Sequence, residues 1–195
     1  MQVVVVLAHP NSDSFSHAIA DRACAGLRGA GHDVHMLDLY AQGFRATMSL
    51  DDHAAYHGDQ PAIDPMVVDH CALVMRAEAL VFIYPTWWSS LPAILKGWLE
   101  RVMLPGVAFV FDDKGKVRPG LTNVRRIVGI STYGSPRSYV RLINDNGRRT
   151  ITRALRLNTG LRARTSWLGL YAIDSAAPIH RSEFLDRVEQ RMRSL

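Results

Sequence analysis

Two adjacent tryptophans, Trp87 and Trp88, stand just past an apolar run from Ala79 to Tyr84, separated from it by Pro85-Thr86. The run reads as a buried strand, and a helix with Pro92 in its first turn follows at once. Indole rings at a strand's end are costly to expose unless something flat and apolar covers them. In open α/β sheets that place, outside the carboxyl ends of the strands, is where ligands bind. The pair therefore points to a planar, largely apolar ligand. The plain alternative is that both rings are core. Successive side chains of an extended segment face opposite sides, so one ring can pack inward while the other walls a site.

A second cluster, His9-Pro10-Asn11-Ser12-Asp13-Ser14-Phe15-Ser16, joins the run Val3 to Ala8 to a helical pattern. Hydroxyls and an asparagine at a helix start suit a phosphate, which takes the free N–H groups and the positive end of the dipole. Ordinary capping by Ser12, Asp13 or Ser14 would use the same residues. His9 in its cationic form would pair with the phosphate. A third cluster, Ser131-Thr132-Tyr133-Gly134-Ser135, closes another apolar run. Small and hydroxyl residues beside a glycine let backbone amides approach a ligand closely, although an ordinary turn has the same composition. Tyr139 lies five residues beyond Gly134. It would donate a hydrogen bond or proton into that place, or else sit on a helix surface.

Other chemistries lack their residues. No Gly-Lys-Ser/Thr occurs, and no GxGxxG follows the first strand, so neither a P-loop nor a Rossmann nicotinamide site is supported. Gly26, Gly29 and Gly31 fall where a helix ends. His53 and His57 are four apart beside Asp51 and Asp52, with no third strong ligand, so no metal is expected. Ser131 lacks the closing glycine of a nucleophile elbow. Cys24 and Cys71 are isolated, which speaks against a redox dithiol or zinc site.

The elements that must position these clusters alternate. Strands are expected at Val3 to Ala8, Asp33 to Leu39, Ala79 to Tyr84, Arg125 to Thr132 and Thr165 to Ile173. Helices are expected at Phe15 to Arg28, Asp64 to Arg76, Leu91 to Val102, Ser138 to Leu157 with a break near Asn146-Gly147, and Ser182 to Arg193. This alternation implies an α/β, flavodoxin-like three-layer sandwich: a five-stranded parallel sheet of order 2-1-3-4-5 with helices on both faces. One domain spanning residues 1–195 is expected at this length. Two long segments, Tyr40 to Ile63 and Pro105 to Asn123, stand outside the repeat.

The chain has 48% hydrophobic and 21% charged residues and a net charge of +5. Its apolar runs are far too short to span a bilayer, and no charged leader precedes Val3, so a cytoplasmic protein without membrane insertion is expected. Arginines gather between Arg137 and Arg164, which reads as a solvated helix face or as attraction for anionic cofactors. No nucleic-acid-binding pattern accompanies them, so no nucleic-acid partner is expected.

Pro92-Ala93-Ile94-Leu95-Lys96-Gly97-Trp98-Leu99-Glu100-Arg101-Val102 closely resembles the signature helix of the flavodoxin-like, diaphorase-like NAD(P)H:quinone oxidoreductases. Ala8-His9 with Ser14-Phe15-Ser16, and Asp38-Leu39-Tyr40 followed by Phe44, also resemble that family. The flat ligand implied by the tryptophans is then a flavin ring. The resemblance implies a flavin-dependent enzyme passing hydride from NAD(P)H to quinones or similar planar acceptors. By it, His9, Ser14, Phe15 and Ser16 would hold the flavin phosphate. Pro85, Thr86, Trp87 and Trp88 would line the ring, and Ser131, Thr132, Tyr133 and Gly134 its other polar edge. Tyr139 matches the family's catalytic tyrosine. Where animal members place a relay histidine shortly afterwards, this chain has Asn144 or Asp145, and Asn144 is taken as the partner. Tyr133 stands where the family has a glycine. The short bacterial members favour FMN, with FAD the other choice. Phe109 and Phe111 match positions that reach a partner subunit's substrate site. The run Val107 to Phe111, which the five-strand repeat does not need for its core, suggests a homodimer. The altered residue after Tyr139 and the arginine-rich stretch leave one alternative: a flavin-binding ancillary subunit of a potassium-efflux-type transporter.

Overall fold

A computed structural model describes all 195 residues. Its sheet has five parallel strands: β1 (Gln2–Leu7), β2 (Asp33–Asp38), β3 (Ala79–Pro85), β6 (Arg126–Thr132) and β7 (Arg164–Leu170). They lie in the order β2-β1-β3-β6-β7, which is the expected 2-1-3-4-5 once the strands of this sheet are counted alone. The helices are α1 (Phe15–Gly29), α2 (Leu50–Ala55), α3 (Pro65–Arg76), α4 (Ala93–Val102), α5 (Arg137–Leu142), α6 (Asn146–Arg149), α7 (Leu155–Leu157) and α8 (Pro178–Arg193).

The period-two alternation of the central strands divides the core into two layers. Val4 and Val6 of β1, with Leu80, Phe82 and Tyr84 of β3, face the layer under α3 and α4. Val3, Val5 and Leu7, with Ala79, Val81 and Ile83, face the layer under α1 and α8. Both faces are covered, so these strands read as unbroken apolar runs. The same covering fixes register, since a one-residue slip would exchange the two faces.

α4 buries Ile94, Leu95, Trp98 and Val102 at helical spacing. The Trp98 indole N–H donates to His70 Nδ1 at 3.1 Å, so the polar end of the buried ring is satisfied. Gly97 has no room for a Cβ, because the backbone of Ala46 lies against it. That close approach, with Phe44 buried beside the Arg101 side chain, ties the segment from Tyr40 onward to α4.

The structure departs from expectation in several places. The segment Tyr40 to Ile63 contains α2, opened by a reciprocal capping box between Ser49 and Asp52. The segment Pro105 to Asn123 forms a short antiparallel hairpin of β4 (Phe109–Phe111) and β5 (Val117–Pro119). The run Val107 to Phe111 is not spare: Val107 and Ala108 are core, Phe109 packs against that core, and Val110 and Phe111 are exposed. The helix expected over Ser138 to Leu157 breaks at Ile143–Asp145, slightly before Asn146-Gly147. It resumes as α6, a turn of π-helix from Thr150 to Ala154, and α7. Asn144 and Asp145 both have positive φ, 74° and 43°, which no continuous helix permits.

Candidate active site

Three strand ends, those of β1, β3 and β6, open on one edge of the sheet, and each is followed by a loop carrying one of the three clusters. After β1, Ser14 caps α1, its side chain accepting the His17 N–H. The amides of Phe15 and Ser16 have no acceptor within the protein, and no acidic residue stands in the first turn. Such a helix start is ready for an anion. His9 Nδ1 accepts the Asn11 N–H at 3.1 Å, which leaves Nε2 as the donor of the neutral ring. Burial, with a further push from His17, holds the His9 pKa below its ordinary value although the Asn11 contact opposes this. His9 is thus better suited to donate a neutral hydrogen bond than to act as the cation expected. The Phe15 ring turns away towards Phe184, with centroids 6.3 Å apart, so its contribution to a phosphate is its amide.

After β3, the chain makes a two-residue turn in which Trp87 and Ser90 exchange backbone hydrogen bonds of 3.2 and 3.0 Å. Trp88 and Ser89 at its tip have positive φ, 46° and 61°. Neither tryptophan is core: Trp87 is 41% exposed and Trp88 fully so. The Trp87 ring lies 5.9 Å from His9, joining the first loop to the second.

After β6, a cleft of about 230 Å³ is lined by Thr86, Trp88, Tyr133, Gly134, Tyr139 and Asp145, together with neighbouring small and apolar side chains. Ser131 is wholly buried beneath it, its hydroxyl 2.9 Å from that of Thr86. Ser131 therefore orients Thr86. Thr132 is nearly buried, and its carbonyl accepts the Thr86 N–H at 2.8 Å, stitching the second loop to the third. Pro85 pairs with Thr132 at the end of the sheet.

Asn144 is exposed, outside the cleft lining and without a side-chain hydrogen bond. The neighbouring Asp145 takes the place within the cleft. Its carboxylate accepts the Tyr133 hydroxyl at 3.1 and 3.2 Å. Burial raises the Asp145 pKa against the Tyr133 and Arg148 contacts that favour the charged form. Tyr133 fills the place expected to need a glycine by burying its ring under the cleft, stacked on Tyr171 at 4.6 Å. Burial and the facing carboxylate push its hydroxyl far above the ordinary tyrosine range. Tyr139 is 48% exposed at the rim. Phe109 and Phe111 sit on the β4–β5 hairpin, outside the cleft lining.

Comparison with known proteins agrees with this fold. Residues 1–193 match a family described as having a flavodoxin-like fold. The chain is 30% identical over 156 residues to NAD(P)H dehydrogenase [quinone] 1 of Rattus norvegicus, covering 71% of this chain and 56% of that protein. It therefore spans little more than half the length of that relative. It is 31% identical over 158 residues to ribosyldihydronicotinamide dehydrogenase [quinone] of Pongo abelii, covering 72% and 67%. Among solved structures, an NAD(P)H:quinone oxidoreductase from Methanothermobacter marburgensis superposes with a TM-score of 0.82 at 26% identity, over 99% of this chain and 96% of that one. No helix is long and apolar enough to cross a membrane. The expected strand order, the loops at the strand ends and these likenesses converge: the chain belongs to the flavodoxin-like fold family, as a relative of the NAD(P)H:quinone oxidoreductases.

Proposed function

We propose that this protein is a flavin-dependent NAD(P)H:quinone oxidoreductase. One observation carries the reading. A helix start with two free amides, those of Phe15 and Ser16, and an aromatic cleft stand side by side at the carboxyl edge of the sheet, joined through His9 and Trp87. A phosphate-tailed planar cofactor has that shape. The relatives' names supply the activity, and the transporter-subunit alternative gains no support from them.

The residues fit the group. The Phe15 and Ser16 amides, the Ser16 hydroxyl and His9 Nε2 would hold its phosphate. Thr86, Trp87 and Trp88 would flank one edge of the ring. The Gly134 amide, which has no acceptor within the protein, would meet the other and stabilise negative charge there. When bound, the flavin supplies two-electron hydride exchange between a nicotinamide donor and a planar acceptor. The protein's share is to orient the partners, exclude water and manage protons. Asp145, whose carboxylate accepts the Tyr133 hydroxyl at the cleft floor, takes up a proton more readily than an exposed aspartate because of its burial. The Tyr139 hydroxyl at the rim donates to the oxygen of a bound quinone. FMN is the preferred form, since the described cleft and cradle account for one phosphate and the ring. The working unit would be a homodimer in which the exposed Val110 and Phe111 of one copy cover the cleft of the other.

Purified protein carrying its flavin, mixed anaerobically with NADH or NADPH in a stopped-flow instrument, should lose the oxidised-flavin absorbance near ~450 nm and regain it with quinone. Absence of bleaching with both donors would sink the reading. Mass determination of the extracted cofactor decides FMN against FAD.

A further inference from the structure

A second cavity, of about 270 Å³, opens at the free edge of β7. Arg137 of α5, Arg148 of α6 and Arg187 of α8 converge on it from separate elements, together with Trp167, Tyr171 and Phe184. Each guanidinium lies over a ring. Arg137 is 5.9 Å from the Tyr171 centroid, Arg148 5.9 Å from that of Trp167 and Arg187 5.3 Å from that of Phe184. Such stacking fixes the plane of a guanidinium and leaves its N–H edge free.

None of the three guanidinium groups has a carboxylate within 4.0 Å. On α8, Asp186 and Glu189 are taken by Arg22 of α1 at 3.3 and 2.7 Å, and Glu183, one turn before Arg187, makes no ion pair with it. The Trp167 indole N–H is buried and has no acceptor.

This cavity and the cleft share a wall. Tyr133 lines the cleft, Tyr171 lines the cavity, and the two rings stack with planes 15° apart. Asp145 faces the cleft and Arg148, three residues on, faces the cavity.

We propose that the cavity binds the adenosine end of the nicotinamide donor and that it selects the 2′-phosphorylated form. The inference rests on the cleft being the hydride-transfer site. A donor with its nicotinamide in the cleft carries an anionic, aromatic remainder, and this cationic, aromatic-walled cavity lies next door. Guanidinium forks match the oxygens of a phosphomonoester, whereas an unphosphorylated ribose diol would leave unpaired cations partly desolvated.

The probe is 2′,5′-ADP, titrated calorimetrically against the flavin-loaded full-length protein, with 5′-AMP and inorganic phosphate in parallel. Binding of 2′,5′-ADP should be at least about tenfold tighter than that of 5′-AMP and should weaken with salt. Arg148→Gln and Arg187→Gln should each weaken it about tenfold or more, the loss expected for a charge-assisted contact. In each the NADPH-to-NADH ratio of kcat/KM should fall. Arg187 is an exposed helix residue, so that variant folds, and a thermal melt checks both. Equal affinity for the two nucleotides, or affinity indifferent to both substitutions, overturns the proposal. Inorganic phosphate binding as tightly as 2′,5′-ADP means an adventitious ion only and overturns it too. Bleaching by NADH and NADPH alike, without discrimination in binding, rejects the cavity's role while the cleft reading stands. Tight 2′,5′-ADP binding without bleaching by either donor rejects the cleft reading, and with it the assignment to a hydride donor.

Discussion

Trp88 and Ser89 occupy the two left-handed positions of a tight turn, where asparagine and glycine are the usual residues. Strain of this kind costs about 1–3 kcal/mol per residue and persists where a site uses it. Trp88→Gly should raise the melting temperature by about 2–4 °C per kcal/mol recovered, while flavin affinity, read by fluorescence quenching, falls at least severalfold. A variant that melts higher and binds flavin unchanged would return Trp88 to an idle surface residue. Asp145 is the other strained cleft residue. Its folded pKa is raised above 3.8, chiefly by burial, so its contribution to stability is fully present below the unfolded pKa. That contribution is lost as pH rises through the folded pKa. Asp145→Asn keeps an acceptor for Tyr133 but cannot ionise. The variant should therefore gain in melting temperature over the wild type as pH climbs above the ordinary carboxylate range, and lose the corresponding limb of the pH–rate profile. Tyr139→Phe should slow flavin reduction about tenfold to a few hundredfold, the range for one donor, with flavin content unchanged.

At the scale of elements, the segment carrying α2 is held to α4 by a buried cation. Arg101 is 2% exposed and donates to Asp52 at 3.2 Å, Asp64 at 3.0 Å and the Arg45 carbonyl at 2.7 Å. Asp52 and Asp64 cap α2 and α3 as well, through the Ser49 box and the Met66 amide. Burial alone would push both carboxyls up. The hydrogen bonds from Arg101, with those from Ser49 and the Met66 amide, outweigh it and hold both pKa values below the ordinary range. Stability from this pair is present above the unfolded pKa and lost as pH falls through the folded one. Arg101→Ala leaves Asp52 and Asp64 only the exposed Arg45, 3.6 Å from each, and should cost about 3 kcal/mol by denaturant titration. Hydrogen exchange at mildly acid pH should show α2 opening before the sheet. Simultaneous opening of both would remove the clamp from this account.

At the scale of the whole molecule, the β4–β5 hairpin projects Phe111, 53% exposed, and Val117, 62% exposed, from a chain whose other long apolar runs are covered. Phe111 is the residue to change, because Phe109 packs on the core and its loss would damage the monomer. Phe111→Asp should shift light-scattering mass from dimer to monomer and lower turnover more than flavin content. A wild-type protein that is monomeric and fully active at assay concentration excludes the shared site. The positive charge of the molecule acts at the same scale: the arginines facing the β7 edge should make donor association fall with ionic strength.

The strand runs, the helical stripe of α4 and the loops at the three strand ends were legible along the chain, because side-chain periodicity and loop composition are local properties. They were enough for the sheet order and for the clusters at His9–Ser16, Pro85–Trp88 and Ser131–Gly134. Four matters were decided by packing alone. Two consecutive left-handed residues turn Asp145, rather than Asn144, into the cleft. The hairpin buries Val107 and Ala108 and exposes Phe111. The tight turn lifts both indole rings clear of the core. Three arginines from α5, α6 and α8, the last almost forty residues beyond the second, meet at one strand edge. Each depends on where backbone from distant parts of the chain comes to lie, which periodicity along one segment does not encode.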